Sequence, residues 1–327
     1  MPSFRYKDRK TEELASVLNR SYQPEEFFEA APYDPSAGEL GSYSNYSYWG
    51  STLRAFLHNP AAVFFLAVLV AILAFTFIEP LLPYAPEANT IYQGDTNLRP
   101  SAEYWFGTNS IGQDLWSQIW SGTRTSLLIG FAVACMEVLL GVVMGVLWGY
   151  VRKLDFLFTE LYNVFDNVPQ TLVVIIISYI LRPGVSTMIF AMCLTSWLQT
   201  ARLVRNQVLI IRDRDYNLAS RCLGTPAWRI MVKNLLPYLV SILTLRMALA
   251  VPAAIGNEVF ITYIGLGVPL ETPTLGNLIK AGQVVMNEPT LNYQLFLPVI
   301  ILSIVTVSFY IVGNSFADAA DPKNHVS

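Results

Sequence analysis

Charge is scarce in this 327-residue chain: Asp, Glu, Lys and Arg together make up 14% of it, against about 25% in an average soluble domain. Cysteine is scarcer still. Cys135, Cys193 and Cys222 are an odd, scattered set with neither a disulfide framework nor a metal-ligand spacing. His58 and His325 lie near opposite ends with no Cys or His at ligand distance in sequence, so no metal is expected. None of the nineteen glycines is followed by lysine, which excludes a Walker-type phosphate loop and with it an ATPase in this chain. The net charge is -3 and no basic face dominates, so no nucleic-acid partner is expected. There is neither an internal repeat nor a cluster of acids of the kind that a secondary transporter with an ion site would carry.

What the chain does have is apolar length. Hydrophobic residues are 53% of it, and segments 61–78 and 293–312 run eighteen and twenty residues without a charge. At ~1.5 Å per residue each matches one hydrocarbon thickness. Four further spans are expected at 125–150, 156–181, 185–201 and 238–263, giving six. The third should kink at Pro169, which has no amide donor. The fold class is therefore an all-α integral membrane protein with six transmembrane helices.

Basic residues orient the expected spans. With the amino terminus inside, sixteen of the twenty-one Lys and Arg fall in inner segments and only Arg99, Arg124, Arg182 and Lys280 in outer ones; the positive-inside bias puts both termini in the cytoplasm. The expected organisation is a cytoplasmic extension over 1–58, a first span over 59–80, an extracytoplasmic loop over 81–123, a five-helix core over 124–314 and a cytoplasmic tail over 315–327. The extension is too long and too charged for a signal peptide. It reads as an irregular tether with a short helix over 11–20, and its two Asn-x-Ser matches, at Asn19 and Asn45, are chance matches on the cytoplasmic side.

One inner segment, DYNLASRCLGTPAWRIMVKNLLP over 215–237, is too polar to span. Tyr216, Ala219 and Leu223, with Leu218 and Cys222 beside them, give one apolar face to a short helix. Gly224 should end it in a left-handed conformation. Thr225 should then cap a second short helix with Pro226 at its first position, running over 227–236 until Pro237 opens the fifth span. Such an elbow could lie on lipid, pack on its neighbours or receive another protein. A rigid angle favours the last.

Charges within spans are costly, about 2.5–3.5 kcal/mol each on insertion scales, so Glu137, Asp166 and Glu258 should face protein or water. Each could line a translocation path or be neutralised by an interhelical hydrogen bond. Asn257 adds a second polar group beside Glu258, and Arg246 is expected to snorkel. Gly141, Gly145 and Gly149 recur every four residues and should let another helix approach closely.

The residues carry a family resemblance. ASRCLGTPAWRIMVKNLLP is similar to the cytoplasmic EAA loop of ABC importer permeases, in which a small-residue pair, a glycine six residues after a glutamate and a terminal Leu-Pro are the hallmarks. Ala219, Gly224, Leu236 and Pro237 match, while Leu218 stands at the glutamate position and Ser220 at the second alanine. WFGTNSIGQDLWSQIWSGTRTSLLIG (105–130), FITYIGLGVPLETPTLGNLI (260–279) and ADAADPKNH near the end resemble segments of the C-type permease subunit of oligopeptide and dipeptide transporters, with Asn109 for an aspartate and Leu275 for a tryptophan. YSYWGSTLRAF before the first span and YNLASRCLGTP look closest to oligopeptide permeases of Gram-positive bacteria.

That resemblance implies a type I ABC importer transmembrane domain in the bacterial plasma membrane, paired with a homologous B-type permease. Two separate ATPase subunits would bind the ATP and Mg, and an extracellular binding protein would deliver peptide. The coupling loop, 212–236, would dock the ATPase through Asp215, Tyr216, Asn217, Ala219, Ser220, Gly224, Thr225, Pro226 and Trp228. The pathway candidates remain Glu137, Asp166, Asn257 and Glu258. Dipeptide, nickel and heme permeases share this grammar and stay open as alternatives.

Overall fold

A computed structural model describes residues 48–82 and 87–320. The expectations for residues 1–47, including the short helix and both Asn-x-Ser matches, and for the tail beyond Ala320 lie outside them. Among the described residues the protein is helical, with no strand beyond a single isolated bridge between Thr108 and Asp114.

A short helix α1 (Tyr48–Leu57) leads into α2 (Pro60–Ile78). The start of α2 is written locally: the Asn59 carboxamide oxygen accepts from the Ala61 and Ala62 amides at 3.1 and 3.3 Å, and Pro60 takes the first position, where no donor is needed. Helix α3 (Leu115–Tyr150) is 36 residues long and begins ten residues before the expected span. Asp114 explains the early start, since its carboxylate accepts from the Ser117 amide and hydroxyl at 3.1 and 2.9 Å. Residues 115–123, expected in the outer loop, are thus helical.

The expected third span is broken in two. Helix α4 (Arg152–Asp166) and helix α5 (Gln170–Leu181) meet at 78°, with the break over 167–169 where Pro169 supplies no amide. Helix α6 (Val185–Arg212) carries the fourth segment eleven residues past its expected end. Helix α7 (Asp215–Cys222) and the single turn α8 (Ala227–Ile230) form the elbow, and a π turn over Met231–Leu235 passes without interruption into α9 (Leu236–Ile264). Helix α10 (Leu275–Val284), not anticipated from the sequence, precedes α11 (Tyr293–Ala320).

By length and apolarity, Pro60–Leu81, Leu115–Tyr150, Ala227–Ile264 and Tyr293–Ala320 can each cross a membrane, and the bent α4–α5 pair makes a fifth. The sixth expected span, α6, is long enough to cross but less apolar than these five. This helix is 28 residues long, about 42 Å at ~1.5 Å per residue, but its buried face carries Thr195, Ser196 and Thr200, and its apolarity falls below that of the other spans.

Helices α3 and α6 form the most extensive helix pair, and the three spaced glycines are the reason. A Cβ placed on Gly141 would sit 2.6 Å from Thr200 Cγ2, on Gly145 2.5 Å from the Ala201 carbonyl oxygen, and on Gly149 2.8 Å from Val208 Cβ. The packing seam closes within this chain. Val204, Val208 and Ile211 of α6 then bury against Val146 of α3, Leu235 of the π turn and Leu239 of α9, so the elbow grows from a buried cluster that these elements share.

Candidate functional site

The elbow is set by backbone chemistry. Gly224 has φ 74°, left-handed as expected. Its amide donates to Arg221 O at 2.9 Å, and the Thr225 amide donates to Ser220 O at 3.0 Å. This is the paired bonding of a Schellman motif, which satisfies carbonyls that the end of α7 would leave orphaned. The second arm differs from expectation. Pro226, with ψ 146°, is the last extended residue and occupies the cap position expected for Thr225; it makes no side-chain cap bond. Nor does a separate second helix stop at Pro237. The chain is helical from Ala227 onward, and Pro237 is accommodated within it because the turn before it widens: the Leu236 amide donates to Met231 O, five residues back.

The elbow turns most of its candidate residues outward. Asp215, Tyr216, Ala219, Gly224, Pro226 and Trp228 are exposed, and Ser220 and Thr225 half-buried. The apolar face expected on α7 is bare: Leu218 is 42% exposed, Tyr216 47% and Leu223 86%, with Trp228 at 62% across the turn. Asn217 is the exception. It is the one buried residue of α7, at 0% exposure, so it lies inside the elbow rather than on any docking face. Its side-chain amide donates to Ile211 O at 2.9 Å and its oxygen accepts from Asn234 Nδ2 at 2.9 Å.

A charged cluster backs the elbow. Asp213 accepts from Arg212 Nε and Arg221 Nη2, each at 3.2 Å, with Arg152 at 3.8 Å. Its carboxyl is held below the usual carboxylate range, first by the Arg212 hydrogen bond and further by Arg221, against an opposing effect of burial. Arg212 also donates to Gly149 O at 2.7 Å, which ties the glycine seam to the elbow.

The four pathway candidates separate. Glu137 is buried and accepts from Thr200 Oγ1 at 2.7 Å and lies 3.0 Å from Arg246 Nη2, while Arg246 Nε donates to the same Thr200 oxygen at 2.9 Å. Arg246 therefore does not snorkel: a carboxylate within reach in the bundle outweighs the pull of the interface. Glu258 is 0% exposed and accepts from the Ser126 and Thr262 hydroxyls at 2.9 and 3.0 Å. Ser126 Oγ in turn accepts from the Leu275 amide at 3.2 Å, which clamps the start of α10 onto α3. Neither Glu137 nor Glu258 lines open space; both are held by interhelical hydrogen bonds.

Asn257 is half-buried beside exposed Gly256 on α9. Asp166 borders a cavity of about 150 Å³ at the helix break, together with Gln170, Thr195 and Gln199. Its carboxylate accepts from Tyr162 Oη and Gln199 Nε2, both at 2.8 Å, and faces Arg202 at 3.8 Å.

Outside the elbow, the family-like segments are built on side-chain clasps. Asn109 Oδ1 accepts from the Ile111 and Gln113 amides at 3.1 and 2.9 Å, a role that needs only an acceptor and that an aspartate would fill equally. Asn277 Nδ2 donates to the carbonyls of Val268, Pro269 and Thr272 at 3.3, 2.8 and 3.0 Å, so it shapes the turn between α9 and α10. Tyr293 Oη donates to Leu98 O at 2.7 Å and Gln294 Nε2 to Asn97 Oδ1 at 2.9 Å, which fastens the 87–114 loop onto α11.

Residues 137–326 match the family described as binding-protein-dependent transport system inner membrane component, and residues 47–100 match the N-terminal TM domain of oligopeptide transport permease C. The first match spans more than half of the chain, and the protein belongs to that family of membrane transport components. It is 37% identical over 303 residues to the oligopeptide transport system permease protein AmiD of Streptococcus pneumoniae, covering 92% of this chain and 98% of that one. With the oligopeptide transport system permease protein OppC of Bacillus subtilis it shares 32% identity over the same fractions. The Bacillus subtilis dipeptide transport system permease protein DppC is 34% identical over 85% of this chain and 86% of that one. A solved methionine ABC transporter, MetNI in inward-facing form, is similar at 21% identity and a TM-score of 0.49, covering 61% of this chain and 94% of that chain.

Proposed function

We propose that this chain is a permease subunit of an ATP-driven importer and forms half of a translocation pathway for peptides, oligopeptides first. The observation that carries this reading is near full-length similarity to oligopeptide permeases, 92% of this chain against 98% of AmiD, joined to an elbow whose apolar residues are uncovered. A homologous permease completes the pathway, two ATP-binding subunits dock beneath, and an extracellular binding protein delivers the peptide. ATP and Mg are bound by those ATPase subunits. The chain sits in the plasma membrane with both termini cytoplasmic, which the excess of Lys and Arg in the inner segments supports.

In this reading Tyr216, Leu218, Leu223 and Trp228 enter a groove on an ATPase subunit, with Asp215, Ala219, Ser220, Thr225 and Pro226 at its edge. When the ATPase dimer closes, α7 moves with it and carries α6 and α9, reorienting the cavity. Asp166 and Asn257 remain pathway candidates because both have access to open space. Peptide uptake into proteoliposomes holding the full complex and its binding protein tests the proposal. Uptake should require ATP and persist when ion gradients are collapsed, with a pentapeptide outcompeting a dipeptide. Uptake that followed an ion gradient without ATP would refute the importer reading.

A further inference from the structure

We propose that Asn217 is a positioning residue for coupling: its buried carboxamide ties α7 to α6 and to the π turn that leads into α9, so that a push on the elbow reaches the two helices together. The inference rests on the docking reading above and deepens it. The two arms of the elbow are anchored differently. The second arm sends Ile230 and Leu235 into the interior, both at 0% exposure, with Leu235 packed against Val208 and Ile211 of α6. The first arm, α7, buries Asn217 and nothing else.

The geometry uses both polar atoms of that side chain. Nδ2 donates to Ile211 O, a last-turn carbonyl of α6 that also accepts from the Arg214 amide at 3.1 Å. Oδ1 accepts from Nδ2 of Asn234, which lies in the π turn. One amide therefore spans three elements, and it does so at 0% exposure, where water cannot replace either bond. The other ties of α7 are different in kind. Arg221 reaches Arg212 O, Asp213 and the Tyr150 ring from an exposed position, where an ion pair or a cation–π contact contributes little. Tyr216, Leu218 and Leu223 face outward. Among the described residues, Asn217 is thus the one buried side chain that adds to the backbone connection in carrying a force from α7 into the bundle.

If so, removing the carboxamide leaves the docking face intact and lets α7 move without its helices. Full complexes in proteoliposomes, supplied with binding protein and labelled pentapeptide, should be compared for ATP hydrolysed per peptide imported. With Asn217→Ala this ratio should rise roughly tenfold, the effect of losing about one buried hydrogen-bond pair on a two-state equilibrium. Asn234→Ala keeps the Ile211 bond and should raise the ratio less, and the double variant should match Asn217→Ala alone because Asn234 acts through Asn217. A merely structural role would lower assembly without changing the ratio in the complexes that form. In parallel, a cysteine introduced in place of Thr225 should cross-link to the ATPase groove in the parent and in both variants.

An unchanged ratio in assembled Asn217→Ala complexes would overturn the proposal. Should that variant fail to assemble, Asn234→Ala decides, and an unchanged ratio there overturns it equally. Absence of the cross-link from position 225 in the active parent complex would instead remove the docking reading, so the two failures are told apart.

Discussion

At Gly224 a single backbone angle carries the elbow. A φ of 74° costs an L-residue about 1–2 kcal/mol, and a β-branched one more. No heavy atom lies within 4 Å of where a Cβ would sit, so any effect of substitution comes from conformation and not collision. Gly224→Val should therefore reduce transport by roughly tenfold or more, since about 1.4 kcal/mol is tenfold in an equilibrium, while the binding protein's affinity for peptide is unchanged. Gly224→Asn, which adopts the left-handed conformation readily, should retain most transport. Equal loss in both would show that the left-handed turn is not what matters. The two buried glutamates give a second contrast. Glu137→Gln strands Arg246, and breaking such a pair costs about 3–5 kcal/mol when fully buried, less here because Arg246 is about one-third exposed. Glu258 is met by neutral hydroxyls, so Glu258→Gln strands no cation and should lower the melting temperature in detergent by less than Glu137→Gln does. The Asp213 carboxyl adds a pH expectation. Its folded-state pKa is depressed, so its contribution is in force above the ordinary value of about 3.9 and is lost only as pH falls through the lower folded value. Asp213→Asn should therefore lower the melting temperature of the purified complex by the same amount throughout about pH 5 to 8, where the carboxylate stays ionised in both states. At this scale Gly224 was legible because glycine after an amphipathic stretch has one common use. Asn217 and Arg246 were not, because what they do depends on partners 17 and 46 residues away in sequence.

At the scale of elements, periodicity and apolar length located the long helices, and Pro169 located the break between α4 and α5. The ends of helices were harder to see. Helix α3 starts early because Asp114 and Ser117 cap it, and α9 runs back to Ala227 because a π turn absorbs Pro237, a solution that leaves no trace in composition. Helix α10 escaped notice because it is only ten residues long and holds its turn through Asn277 rather than through an apolar stripe. The glycine seam was legible in spacing, and the structure supplies its partner. Gly145→Ala should destabilise the chain by roughly 1–3 kcal/mol, the usual cost of overpacking, since its Cβ would meet a backbone carbonyl at 2.5 Å and Val204 Cβ at 2.6 Å. Gly145→Leu should abolish folding. Thermal unfolding of the purified complex measures the first and membrane yield the second; a stable Gly145→Leu chain would mean that α3 and α6 do not pack along this line.

For the whole molecule, the distribution of charge makes a claim that packing alone does not. The elbow, with Arg214, Arg221, Arg229 and Lys233, and the 87–114 loop, with Arg99 and the exposed side chain of Glu103, belong to opposite ends of the bundle if the helices between them cross the membrane. The chain provides its own probe of one end, since Cys222 is exposed on the elbow. In a variant with Cys135 and Cys193 replaced by alanine, Cys222 should resist a membrane-impermeant thiol reagent applied to intact cells and react once the cytoplasmic side is opened. Glu103→Cys, made in a background that also lacks Cys222, should react in intact cells. Both results are needed, because a thiol that is unreactive from either side reports burial and not topology. The expected pattern requires an odd number of crossings between residues 103 and 222. Helix α3 with the broken α4–α5 pair gives two, so α6 must supply the third despite its polar face. Reaction of Cys222 and of the Glu103→Cys thiol from the same side would show that α6 does not cross, and reaction of Cys222 in intact cells would put the elbow on the outer surface, where no ATPase could reach it.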